Sequence, residues 1–111
     1  MNIDEMPAGR EMDALVAEKV MGWANIRGAV VEQNTNIVRD VPSYSTDIAA
    51  AWDVVEKINT KKCFIELKST FPTWFAGIFK GFGHNYEIIE CANEKTAPLA
   101  ICRAALKAVS K

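Results

Sequence analysis

The sequence predicts an α+β fold: a single layered domain in which a small, mostly antiparallel sheet of three to five strands packs with three helices, at about 8–21, 46–59 and 97–109. Two observations carry this. Apolar residues recur at helical spacing in three separated stretches, each bounded by a start or stop signal. Between the second and third stretches, short runs alternate apolar and polar residues with brief connections, the pattern of an antiparallel meander. A chain of 111 residues suits one compact domain, so residues 8–111 are expected to form it and residues 1–7 to be a loose lead-in.

In the first stretch, Met12, Leu15, Val16, Lys19 and Val20 fall on one stripe, with Arg10, Glu11, Asp13 and Glu18 on the polar side. Lys19 can lay its stem along the stripe and keep its charge in water. Gly22 follows the last periodic residue, where a left-handed stop favours glycine. Residues 24–43 are the least determined. Gly28-Ala29-Val30-Val31-Glu32 and Asn36-Ile37-Val38-Arg39 suggest a small hairpin around Gln33-Asn34-Thr35, with an irregular connection as the alternative.

The second helix has the clearest pattern. Ser45 or Thr46 is the expected cap, Asp47 lies near the positive end of the dipole, and Ile48, Ala51, Trp52, Val55 and Ile58 form an apolar stripe. Residues 62–69 then alternate, with Cys63, Ile65 and Leu67 opposite Phe64, Glu66 and Lys68. Residues 73–79 are apolar on both faces, Trp74, Ala76 and Ile78 against Phe75, Gly77 and Phe79, which predicts a central strand covered on both sides. Lys80-Gly81-Phe82-Gly83-His84-Asn85 reads as a turn. In residues 86–91, Tyr86, Ile88 and Glu90 alternate with Glu87, Ile89 and Cys91. Thr96 is a natural cap for the last helix, Pro98 sits in its first turn, and Leu99, Cys102, Leu106 and Val109 form its main stripe, widened by Ile101, Ala105 and Ala108.

Several function classes are disfavoured. The net charge is −1, from 13 basic and 14 acidic residues, which gives no electrostatic footprint for duplex nucleic acid. No apolar run approaches the roughly 18 residues of a membrane span. The acidic start Met1-Asn2-Ile3-Asp4-Glu5 does not resemble a signal peptide. Three widely spaced cysteines, Cys63, Cys91 and Cys102, do not form a disulfide framework. A cytosolic protein with reduced thiols is expected.

Three blocks carry a family likeness. They are Ala14-Leu15-Val16-Ala17-Glu18-Lys19-Val20-Met21-Gly22-Trp23, the stretch from Tyr44 to Ile58, and Thr96-Ala97-Pro98-Leu99-Ala100-Ile101-Cys102-Arg103-Ala104-Ala105-Leu106-Lys107-Ala108-Val109. In this order they resemble the phage ABA-sandwich domain, a family of small phage and prophage proteins. The resemblance implies a sheet layered with helices, an origin in phage or prophage DNA, and a place in the cytoplasm of a bacterial host cell. It implies no reaction, and no functional residue can be carried over from it.

The remaining constellations have simpler readings. Gly77-x-x-x-Gly81-x-Gly83 with Lys80 lacks the Lys-Ser/Thr ending of a phosphate loop and lies between strands. His84 with the three cysteines has no metal-ligand spacing, and the cysteines read as small buried hydrophobes. Glu87, Glu90 and Glu94 read as a solvated edge, because Glu87 and Glu90 would face opposite sides of a regular strand. No catalytic residue, metal set or cofactor is predicted. Trp23, Trp74, Phe75, Phe79, Phe82 and Tyr86 are an aromatic-rich set. If helices cover one sheet face, Phe64, Phe75 and Phe79 on the other form an apolar interface. The expected function is binding, through a homo-oligomer or a host or phage protein partner. The alternatives are a small, nucleotide-like ligand held at Lys95, Thr96 and Ala97, where a helix start offers free amides, and an enzyme, which requires titratable groups converging around His84 or Glu87.

Overall fold

The computed structural model describes residues 3–26, 29–31, 40–82 and 85–110. The first helix, α1 (Arg10–Leu15), runs directly into a π-helical turn at Val16–Val20. Met21 donates its amide to the Val16 carbonyl at 2.9 Å and Trp23 donates to Ala17 at 2.8 Å. Gly22, at φ 83°, takes the left-handed stop that its position predicts. The wide turn changes which residues are buried. Met12, Asp13, Val16, Ala17 and Val20 face inward, while Lys19 is exposed.

Strands β1 (Ala24–Ile26) and β2 (Ala29–Val31) form an antiparallel hairpin with Ala24 opposite Val31. A strand is expected at Gly28–Glu32, and β2 lies within it, but the partner that the structure gives it is the preceding segment. Residues 29–31 pair backward with 24–26. The other expected strand, Asn36–Arg39, lies outside the described residues, as does Arg27-Gly28.

Helix α2 spans Ile48–Asn59, two residues later than expected. Its cap is Asp47, whose Oδ1 accepts a hydrogen bond from the Ala49 amide at 3.0 Å. Neither Ser45 nor Thr46 caps it, because Ser45 is drawn into the core by α1. The buried side of α2 is Ala51, Val54 and Ile58. Ile48 and Trp52, expected on the buried stripe, are 41% and 48% exposed. Apolar residues surround much of this helix, so more than one stripe fits its spacing. The stripe centred on small Ala51 is the one buried where α2 meets α3.

The sheet has three strands in the order β3-β4-β5, all antiparallel: β3 (Cys63–Ser69), β4 (Trp74–Phe82) and β5 (Asn85–Glu94). β4 is central, as its two apolar faces predict. Strand pairing runs through most of the expected 80–85 turn, reaching Phe82 and Asn85. Ile78 pairs with Glu90 but Phe79 pairs with Ile88, so Ile89 is an extra residue in a β-bulge. The bulge breaks the simple alternation. By register, Ile88, Cys91 and Asn93 share one face, and Glu87, Glu90, Ala92 and Glu94 share the other.

All the helix packing is on that second face. Ala76, Ile78 and Ala92 belong to the core, with Cys63, Ile65, Leu67, Trp74 and Ile89 packed around them. Helix α3 (Ala97–Val109) lies directly on the sheet, with α2 beside it on β3 and the π turn packed on both helices. Every residue of α3 from Ala100 to Leu106 is buried. The expectation that β4 is covered on both sides is corrected among the described residues, whose helices cover only one. With α2 and the π turn stacked against α3, the helices are all on one side.

Two cations on α3 tie the domain together. Arg103, 6% exposed, donates from Nε to the Ile3 carbonyl at 3.0 Å, from Nη2 to the Met6 carbonyl, and forms an ion pair through Nη1 with Glu94. One turn later, Lys107 reaches the Cys91 carbonyl at 3.1 Å, Asp4 at 3.1 Å and Glu90 at 3.4 Å. Burial pulls the Lys107 pKa down, but the hydrogen bonds and charges of Asp4 and Glu90 outweigh it and hold the ammonium above its usual value. A raised lysine pKa adds stability at neutral pH, which is lost as pH rises through the folded-state value. These contacts also correct the loose lead-in: within residues 3–7, Met6 is 4% exposed and two backbone carbonyls are held by Arg103. They correct the solvated-edge reading as well, since Glu90 and Glu94 are ion-paired to α3 while Glu87 is exposed.

Replacing Arg103 by Met keeps apolar volume but leaves Glu94 and two carbonyls unpaired. The expected loss is about 3–5 kcal/mol in urea denaturation. Limited proteolysis of the variant should cut first near residues 3–7, and replacing Glu94 by Gln in the same chain should restore part of the loss.

Candidate functional site

The sheet face away from the helices is built from alternate residues of all three strands. β3 contributes Phe64, Glu66 and Lys68; β4 contributes Phe75, Gly77 and Phe79; β5 contributes Ile88, Cys91 and Asn93. Phe64 and Phe79 are cross-strand partners and stack with centroids 5.2 Å apart and planes 16° apart. Lys68 sits 5.9 Å from the Phe75 ring centre and pairs with Glu66 at 2.6 Å. Gly77 is at the middle of this face. A Cβ there would stand 3.0 Å from ring atoms of both Phe75 and Phe79, so the missing side chain lets the two rings close over the strand. The buried core includes none of these residues. Phe64 is 38% exposed and Ile88 52%. The structure thus brings Phe64, Phe75 and Phe79 together on the face that no described helix covers, as their alternation predicts.

The helix start at Lys95, Thr96 and Ala97 has a different character. Thr96 Oγ1 accepts from the Leu99 amide at 3.3 Å, and the Thr96 carbonyl accepts from Ala100 at 3.1 Å. Ala97 is buried and Lys95 exposed. Thr96 is engaged by its own helix as a cap. His84 lies outside the described residues, and Glu87 is exposed. Lys80 and Gly81 are part of β4 rather than of a loop.

The three cysteines differ in environment. Cys63 and Cys91 are half-buried and Cys102 is fully buried. Burial, reinforced by the nearby Asp13 carboxylate, pushes the Cys102 thiol up to about 12. Among the described residues, no three His, Cys, Asp or Glu side chains gather closely enough to hold a metal ion.

One polar arrangement has no precursor in the sequence pattern. Ser45 is fully buried, and its amide and hydroxyl both donate to Asp13 Oδ1, at 2.8 and 2.6 Å. Its hydroxyl accepts from the Gly9 amide at 2.9 Å. This network pins the segment before α2 to the start of α1. Ser45 is sealed from solvent, so it cannot present its oxygen to a substrate. Beside the network lies a cavity of about 420 Å³ lined by Arg10, Asp13, Ala14, Asp40, Val41 and Ser43. The partners are far apart in sequence, and each residue has an ordinary local role, surface acid or helix cap, that masks the pairing.

A family model for the phage ABA sandwich domain matches residues 14–106. The crystal structure of a phage protein from Bacillus cereus ATCC 14579 is similar to this chain, with a TM-score of 0.73, 24% identity, and 97% of each chain covered. At that identity the likeness shows the fold. No curated protein matches the chain.

Replacing Asp13 by Ala leaves the Ser45 amide without its acceptor and the hydroxyl with only the Gly9 carbonyl at 3.4 Å, at an expected cost of about 1–3 kcal/mol in thermal or chemical denaturation. Cys102 should resist alkylation in the native protein at mildly alkaline pH, and mass spectrometry should find it labelled only after unfolding.

Proposed function

As the chain belongs to the phage ABA sandwich domain family, we propose that it is a phage or prophage accessory protein that acts by binding rather than by catalysis. The binding surface is the open face of the sheet, and the contact is a homo-oligomer or a complex with a host or phage protein. The observation that carries this reading is the aromatic set of exposed Phe64 with half-buried Phe75 and Phe79, continued by exposed Ile88.

Large apolar groups clustered on one face cost free energy in water, and their burial against a partner recovers about 25 cal/mol per Å². Aromatic residues in a small cluster are also the usual anchors of protein interfaces. The only charged side chains that the described register places on this face, Glu66 and Lys68, neutralise each other at 2.6 Å. A partner, or a second copy, can therefore approach without meeting a net charge. The cytoplasm of a bacterial host is the proposed place of action, and no described helix is long and apolar enough to cross a membrane. A nucleotide-like ligand at Lys95, Thr96 and Ala97 has less support, because the Thr96 hydroxyl and the Leu99 amide satisfy each other.

Sedimentation equilibrium over a concentration series tests the reading. The wild-type protein should show reversible self-association. Phe64→Lys should reduce it to a monomer while changing unfolding free energy by only about 1 kcal/mol, the scale of one aromatic pair. A wild-type protein that stays monomeric at every concentration and captures no phage or host protein would remove this function.

A further inference from the structure

We infer that the cavity between α1 and residues 40–43 is a binding site for a small zwitterion of the α-amino-acid class, with its ammonium group held by Asp13 and Asp40 and its carboxylate by Arg10. The site is separate from the sheet face, and its argument does not depend on that reading.

The key atom is Asp13 Oδ2. Asp13 is only 6% exposed, and both hydrogen bonds it accepts from Ser45 go to Oδ1. No buried side-chain nitrogen or oxygen among the described residues lacks a hydrogen-bond partner. Oδ2 is therefore not sealed in the core. Asp13 lines the cavity, and Oδ2 is the carboxylate oxygen that Ser45 leaves to it. A carboxylate that is more than nine-tenths buried and oriented by two hydrogen bonds on one oxygen is a fixed acceptor in the wall of a concave space. An ammonium donor gains most there, because the anion is already largely desolvated and cannot turn away.

The rest of the lining sets the class of ligand. Asp40 adds a second carboxylate at the rim, and Arg10 adds a guanidinium. Neither makes an ion pair among the described residues. Arg10 provides a planar donor fork, the group best matched to a carboxylate. Ser43 adds a hydroxyl, and Ala14 and Val41 add apolar wall. A lining with two acids and one base favours a ligand that carries both signs over a simple anion. A volume of about 420 Å³ falls in the range of small-molecule sites.

The variant that isolates the site is Asp13→Asn. Its Oδ1 still accepts from the Ser45 amide and hydroxyl, so the network is retained, but the position facing the cavity becomes a donor. Amide resonances of the ¹⁵N-labelled protein would be followed during titration with each of the common free amino acids, up to about 20 mM to detect weak affinity. Methylammonium chloride and sodium acetate serve as single-charge controls.

The expected result is saturable shifts at Asp13, Ala14, Val41 and Ser43 with at least one amino acid. Methylammonium should bind more weakly, and acetate weakest. Asp13→Asn should weaken binding by about tenfold or more, the scale of a lost charge-assisted contact, with an unchanged spectrum elsewhere. Arg10→Gln should weaken the amino acid but not methylammonium. The inference is overturned if no amino acid produces saturable shifts, or if a well-folded Asp13→Asn protein binds as tightly as the wild type. If Asp13→Asn fails to fold, Arg10→Gln alone decides, because Arg10 is exposed: equal affinity for the amino acid in that variant overturns the assignment.

Discussion

Helix α3 is buried from Ala100 through Leu106 without a solvent-facing gap, and the layering of the domain follows from that constraint. A helix that is apolar nearly all round needs neighbours on every side. The sheet supplies one side; α2 and the π turn supply others. Arg103 lies within this buried run, and a buried guanidinium is costly unless its donors are satisfied. It is satisfied by the Ile3 and Met6 carbonyls and by Glu94. Thus the helix at the centre holds the beginning of the described chain on one side and the edge strand β5 on the other. Lys107 repeats the arrangement one turn later through Asp4 and Glu90.

Committing every helix to one side of the sheet leaves the other side without a cover in the described chain. That face is not a random exposure of single residues. Phe64 and Phe79 are stacked, Phe75 lies against Lys68, and Gly77 makes room for the rings. The face is ordered by its own contacts yet remains apolar, a combination suited to a rigid docking surface that loses little conformational entropy on binding. The bulge at Ile89 contributes by setting Ile88 and Cys91 on this face while turning Glu90 and Glu94 toward the cations of α3. One irregular residue thus sorts the charged side chains of β5 away from the open surface.

Much of this was legible in the sequence where burial has a local period. The third helix with its Thr96 cap, the central position of β4, the antiparallel meander and the grouping of Phe64, Phe75 and Phe79 all follow from spacing of two or 3.6 residues. What was not legible depends on distant partners. Ser45 is a reasonable cap for the next helix until Asp13, 32 residues earlier, takes its amide and hydroxyl. Arg103 reads as a polar residue in the last helix until it meets Ile3, 100 residues away. The bulge at Ile89 and the π turn at Val16–Val20 each shift a face by one residue, which no count of apolar residues reveals. The cavity at Arg10, Asp13 and Asp40 was missed because Asp13 also fits the polar side of an amphipathic helix.

The central claim is that the helices share one face and leave the aromatic face bare in the free chain. Hydroxyl-radical footprinting at a dilution where the protein is monomeric tests it most directly. Phe64, Phe75, Phe79 and Ile88 should be oxidised readily, while Ile78, Met12 and Leu106 stay protected. Strong protection of the three phenylalanines in the dilute monomer would show that the chain covers this face itself, and would contradict the account.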